Sequence, residues 1–379
     1  MDDQTTPRPR GPAQIILALS PADGLVAVPV GEQYRWADTA LRLTPGFERR
    51  SDSTYALHDV DNAKPNLLAL AENARRHRVL LFGGARPYLG DYAAALAADL
   101  PGSWTVKVEV LSHPVWQEDL VPLLWDAGEL IRAVEHGRIP YSVHLDDGTG
   151  RELLLVERPG SAEEYVLGAF ASAAFDDNYD DPSAPSSVVL PSDPALAATL
   201  VAEAFLPSYE QAVHTRLLAA VEAAHDRLEE LHGTWTAIEQ SGRYSDGILL
   251  DPATLEHTEQ QYLEEVAVEF RRLHPHAAEL LARVGPVTDA EDSAALGRLH
   301  QLLHPDEAAA WPTPPHTSPA LPSGTGESLR RWRTDALALL RQALASRPPG
   351  PAASARARPA LPAPVKAAPS APGRTLRNR

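Results

Sequence analysis

The sequence predicts an α+β N-terminal domain, an α-helical hairpin or bundle module, and a disordered Pro/Ala/Arg-rich tail. Three observations carry that reading. Strand-length apolar runs alternate with helical periods and hairpin turns up to about residue 174, the pattern of mixed sheet and helix rather than of a purely parallel sheet. Apolar residues then recur every three or four positions between residues 208 and 304. The 35 prolines cluster instead of spreading evenly, which marks segments that cannot form a packed core. The resulting boundaries are 12–174 for the α+β domain, 175–193 for an acidic Pro/Ser linker, 194–305 for the helical module, and 306–379 for a Pro-rich disordered region holding a basic helix at 328–346.

Element by element, "AQIILALSPADGLVAVPV" (13–30) reads as two strands around a Pro-Ala-Asp-Gly turn. A short helix is expected near residues 36–43, a strand near 53–57, and a helix over 61–77 with Pro65 in its first turn, where a missing N–H costs little. "RVLLFGGARPYLGDYAAALAADL" reads as strand, Gly-Gly turn, and a helix opening near Pro87. "SWTVKVEVLS" alternates as a half-buried strand, "IPYSVHLDDGTGRELLLVERPG" is a hairpin about Asp-Asp-Gly-Thr-Gly, and "EYVLGAF" adds a strand.

The stretch "SHPVWQEDLVPLLWDAGEL" (112–130) concentrates two tryptophans, four carboxylates and a histidine. On a helical wheel over 119–134, its leucines form one face and Glu118, Asp119, Asp126 and Glu129 the adjoining one. With Asp119 as N-cap, Pro122 falls where no N–H is needed, so a solvated helix face accounts for the acids.

In the helical module, Ser208 and Gln211 make a capping box, and Val213, Leu217, Val221, Ala224, Leu228 and Leu231 form a stripe. Asp251-Pro252 opens a second helix that reaches His274-Pro275, and Thr288 with Glu291 caps a third that ends near His304-Pro305. In the basic helix, Leu329, Trp332, Ala336, Leu340 and Leu344 share one side.

Several chemistries fail on a required residue. The chain has no cysteine, hence no disulfide, thiolate nucleophile or Cys-ligated metal. "DDNYDD" (176–181) starts like a calcium loop, but Asp181 stands at the glycine position and Ser187 at that of the bidentate glutamate. His300 and His304 in "HQLLH" are one turn apart, yet Gln301 replaces the base and no third ligand is evident, so no metal is expected. No G-x-S-x-G, P-loop or dinucleotide fingerprint occurs, and no cofactor is expected. Gly83, Gly84 and Arg86 could present backbone N–H groups and a guanidinium to an anion ahead of a helix.

The net charge of −17 is unevenly spread: residues 328–379 carry eleven cations and one acid, which leaves 23 cations and 50 acids for residues 1–327. Such segregation bears on partners rather than on fold. Arg330, Arg331, Trp332, Arg333, Arg341, Arg356, Arg358, Arg374 and Arg377 are the candidates for polyanion contact. The sequence reading is therefore a non-catalytic interaction protein. Its helical module would bind a protein partner or self-associate, and its basic tail would contact a polyanion such as nucleic acid or fold back over the acidic body. A hydrolase-class enzyme using the Gly83-Gly84-Arg86 loop is the alternative. With no apolar run of membrane-spanning length and no evident leader, a cytoplasmic protein is expected. Its arginine-over-lysine bias (three lysines) is usual in high-GC bacterial genomes.

Overall fold

The computed structural model describes residues 11–161, 163–172, 175, 181–244, 246–304 and 325–346, with the side chains of 84–86 excepted. Strands β1 (Ala13–Ser20) and β2 (Gly24–Val30) form the expected hairpin, Ser20 opposite Gly24. Gly24 has φ +80°, and a Cβ there would lie 2.5 Å from the Leu57 carbonyl oxygen, so the turn requires glycine. Helix α1 (Tyr34–Arg42), strands β3 (Glu48–Arg49) and β4 (Tyr55–Leu57), and helix α2 (Ala63–His77) follow. The crossover through α2 returns β5 (Val79–Pro87) parallel to β1, giving a sheet ordered β3-β4-β2-β1-β5.

Helix α3 (Leu89–Asp99) leads to the second sheet. It contains β6 (Thr105–Val110), β8 (Tyr141–Asp146), β9 (Glu152–Glu157), β10 (Tyr165–Phe170) and β11 (Val188–Leu190), in antiparallel order β11-β10-β9-β8-β6. Between β6 and β8 lie α4 (Pro114–Glu118), the short strand β7 (Leu124–Trp125), which pairs with β10, and α5 (Glu129–His136). Then come α6 (Pro194–Leu200), a π-turn at Val201–Phe205, and the long helices α7 (Leu206–Ser241) and α8 (Pro252–Arg283). Helices α9 (Ala290–Leu302) and α10 (Thr325–Ala345) complete a bundle. The architecture is an α+β region followed by a helical module. One continuous apolar cluster runs from Val28 and Tyr88 through Trp125 and Tyr209 to Phe270 and Trp332.

The structure corrects the reading at several places. The helix expected over 119–134 does not form. The chain instead makes α4, a 3-10 turn at Val121–Leu123, β7 and then α5, because Leu124 and Trp125 pair with Phe170 and Ala169. Asp126 is buried and accepts from the Ser187 amide at 2.6 Å and the Ile131 amide at 3.0 Å. Ser187 Oγ accepts from the amides of Glu129 (2.7 Å) and Leu130 (2.9 Å). These two side chains satisfy open N–H groups at the start of α5, Asp126 from five residues away and Ser187 from nearly 60, a capping role. Ser187 belongs to the segment expected to be a linker, whose residues 188–190 are in fact a sheet strand. Asp181 of the same segment bonds Trp125 Nε1 at 2.8 Å and pairs with Arg216 at 2.6 Å. Asp176, Asn178 and Asp180 lie outside the described residues.

Ser208 caps nothing, since helix continues through it from Pro194. Helix α8 also passes its proline: Pro275 is interior, and burial of Leu273, Ala277 and Leu280 outweighs the lost backbone bond. His274 and His276 therefore occupy a helix rather than a turn. Asp289, not Thr288, caps α9.

Helix α10 is the largest departure. It forms where the basic helix is expected, but it is packed into the bundle: Leu329, Ala336, Leu339 and Ala343 are buried and Trp332 is fully buried. The Trp332 ring meets Phe270 at 6.1 Å and His225 at 6.3 Å, both edge-on. Trp332→Ala should destabilise the protein by about 3–5 kcal/mol, measured by urea unfolding. A loss under about 1 kcal/mol would show that α10 is dispensable to the bundle.

Candidate interaction groove

Of the residues expected to bind an anion, Gly83 and Gly84 do not form a turn. They continue β5, where Gly83 is opposite Leu17, and the strand runs to Pro87 before α3 opens at Leu89. The loop-to-helix cradle is thus displaced, because parallel pairing with β1 draws the glycines into the sheet edge. The Arg86 side chain lies outside the description. His300 and His304 are both exposed at the end of α9, and no group of three His, Cys, Asp or Glu able to hold a metal occurs among the described residues.

The polyanion candidates divide. Trp332 is core. Arg333 makes a bidentate pair with Glu229 of α7 at 2.5 and 2.8 Å. Arg341 reaches Asp292 of α9 at 2.5 Å, and Gln342 holds the other oxygen of that carboxylate at 2.7 Å. Arg330 and Arg331 both turn to Glu327 of their own helix. A fifth contact runs the other way, with Arg298 of α9 clamping buried Asp335 of α10 at 2.6 and 2.9 Å. Arg333 and Arg341 thus tie α10 to α7 and α9, whereas Arg330 and Arg331 are paired within their own helix and remain exposed. Arg356, Arg358, Arg374 and Arg377 lie outside the described residues.

The stripe expected to receive a partner is also occupied. Val213, Leu217, Val221 and Leu228 are fully buried inside the bundle. What α7 and α8 leave open is an adjoining face that takes in Leu231, the last residue of the stripe. On α7, His214, His225 and Glu229 meet α10, whereas Arg227, Glu230, Leu231, Thr234 and Ile238 line an open groove with Trp235. At 100° per residue the two sets are about 180° apart on the helix. Across the groove, α8 contributes Thr258, Gln261, Tyr262, Glu264, Glu265, Val268 and Glu269.

The groove has a volume of about 860 Å³. Its floor is aromatic and aliphatic: the Trp235 and Tyr262 rings stack at 5.4 Å, with their planes 10° apart, beside Leu231, Ile238 and Val268. His232 Nδ1 bonds the Tyr262 hydroxyl at 3.1 Å, which fixes the ring. Burial pushes the Tyr262 phenol up from its ordinary pKa. The rim is acidic. Glu269 is engaged by Arg272 at 3.0 Å and Arg227 at 3.6 Å, but Glu230, Glu264 and Glu265 have no cationic partner among the described residues. From residue 222 to 269 the hairpin holds twelve carboxylates and two arginines, Arg227 and Arg243.

A second cleft, of about 680 Å³, lies between α1 and α4, lined by Tyr34, Trp36, His113 and Trp116 with Glu32 and Arg35. It takes in His113 and Trp116 of the 112–130 stretch, while Trp125 is core; its one lining carboxylate, Glu32, is balanced by Arg35. No protein-family model matches the chain, and neither a curated protein nor a solved structure matches it.

Sequence reasoning located the stripe but not the groove. The signal was present as the carboxylate excess over 222–269, and it was hidden because periodicity identifies the buried face of a helix rather than the exposed one. No helix among the described residues is long and apolar enough to cross a membrane.

The ion pairs give α10 a pH dependence. The Arg333 guanidinium holds the Glu229 carboxyl below its usual range, as Gln342 and Arg341 do for Asp292 and Arg330 and Arg331 for Glu327. The unfolded chain therefore takes up protons first as pH falls, so this stabilisation is present above about pH 4.3 and is lost as pH drops through the lower native values. The urea midpoint should fall accordingly on acidification, and less steeply in Glu229→Gln. Equal slopes in the two proteins would show that the Glu229–Arg333 pair contributes nothing.

Proposed function

We propose that this chain is a non-catalytic interaction protein whose α7–α8 groove receives a basic segment of a protein partner. The observation that supports it is an apolar, aromatic-floored groove rimmed by Glu230, Glu264 and Glu265 in a hairpin with twelve carboxylates and two arginines. An apolar floor supplies the affinity of such a contact, and complementary charge supplies its orientation and association rate. The polyanion contact proposed for the basic end centres on residues 347–379, because each arginine of α10 already pairs with a carboxylate of the same chain.

The test uses a labelled arginine–proline peptide and the full chain with the seven cations of residues 347–379 changed to glutamine, so that they do not compete. Fluorescence anisotropy should show binding that weakens as salt is raised from about 50 mM to about 300 mM. The triple change Glu230→Gln, Glu264→Gln and Glu265→Gln should weaken it about tenfold. Binding that is absent, or indifferent to both salt and the triple change, overturns the proposal.

A further inference from the structure

We infer that residues 347–379 of this same chain dock in the α7–α8 groove, so that the protein covers its own binding surface. The inference rests on the groove proposed above and names its resident occupant.

Charge selects the occupant. Residues 347–379 carry seven cations (Arg347, Arg356, Arg358, Lys366, Arg374, Arg377 and Arg379) and no acid. The hairpin they would meet has ten more carboxylates than cations over residues 222–269. The other segment outside the described residues near the bundle, 305–324, carries Asp306 and Glu307 and no cation, and an acidic rim would repel it. Helix α10, which could have supplied cations to the groove, spends its own on Glu229, Glu327 and Asp292.

Composition fits the floor as well as the rim. Eight prolines fall within residues 347–379. A proline-rich strand carries little conformational entropy to lose and presents residues three apart on one edge. Pro359 and Pro362 are so spaced and are bracketed by Arg358 and Lys366. Proline edges pack on aromatic rings in aromatic-lined grooves, and the half-buried Tyr262, backed by the buried Trp235, is the ring available here. Flanking cations would then lie along Glu230 on one wall and Glu264 and Glu265 on the other.

The chain can reach. The Ala343 carbonyl accepts from His214 Nε2 at 2.9 Å, which puts the exit of α10 beside the start of α7. From residue 214 to residue 231 is about 25 Å along the helix, and the path must also round a bundle about 20 Å across. Residues 347–362 span about 50 Å if extended at about 3.1 Å each. The Pro359–Pro362 stretch is therefore where the groove is met.

Carbodiimide coupling on the wild-type full chain tests this, because it joins an amine to a carboxylate in direct contact. The chain has three lysines: Lys64 in α2, Lys107 in β6 and Lys366. A hairpin peptide linked to Lys366 is thus diagnostic. Mass spectrometry should find Lys366 joined within one molecule to Glu230, Glu264 or Glu265, with the product lost at high salt. The labelled arginine–proline peptide should also bind the wild type about tenfold more weakly than the cation-to-glutamine chain. Coupling of Lys366 to sheet-region carboxylates, coupling only between molecules, or equal peptide affinity for the two chains overturns the inference. So does RNA binding by the wild type at the same salt with Lys366 unlinked to the hairpin. If the peptide fails to bind even the cation-to-glutamine chain, the partner-binding proposal falls, while the Lys366 products still report separately where the segment lies.

Discussion

Burial of one face of α10 is the contact on which the remainder of the bundle depends. Trp332, Leu329, Ala336, Leu339 and Ala343 close the apolar interior that α7, α8 and α9 leave open. An indole taken wholly out of water contributes several kcal/mol through its area and its dispersion contacts. That term far exceeds anything a surface arginine gains from a distant phosphate. Once the apolar face is fixed, Arg333 and Arg341 are carried against Glu229 of α7 and Asp292 of α9, and Asp335 of α10 against Arg298 of α9. The ion pairs follow from the packing. Half-exposed pairs such as Arg333–Glu229 add register and pH sensitivity more than stability.

Unequal helix lengths create the groove. Helix α7 has 36 residues and α8 has 32, but α9 has 13 and α10 has 21. The two short helices cover one side of the long hairpin and cannot wrap the other. Trp235, Tyr262, Leu231 and Ile238 are left to shield one another in the open furrow, with carboxylates keeping the rim hydrated. A helix pair that leaves Tyr262, Leu231, Ile238 and Val268 partly open between acidic rims has surface suited to a cationic, proline-bearing segment, and residues 347–379 have that composition. Covering that furrow intramolecularly would set a threshold for partners, since a competing segment must displace a tethered one.

The acidic, aromatic run 112–130 shows where local reasoning misplaces an element. Asp126 is buried and caps α5 together with Ser187 instead of lying on a wet helix face. The cause is non-local. Leu124 and Trp125 are claimed by β10, which breaks the helix that spacing alone favours. Gly128 belongs to the same joint, since a Cβ there would lie 2.4 Å from Ser187 Oγ. The proline at 275 is the reverse case, where tertiary burial carries a helix through a residue that ordinarily ends one.

Sequence by itself determined the two hairpins in the first 160 residues, the switch from strands to long helices, and the amphipathic helix within 325–345, but not the elements of 112–136 or the strand at 188–190. Those it determined are set by local periodicity and turn chemistry, which act over a few residues. It also determined the charge segregation, because charge is additive along a chain. Tertiary structure alone decided where each face went: that Trp332 is core, that the arginines of α10 meet carboxylates of the same chain, and that the open surface adjoins the stripe, sharing Leu231 with it, and faces away from α10. Those outcomes depend on which helices are long enough to cover one another, and on strands that pair across 60 residues or more, quantities no short window of sequence contains.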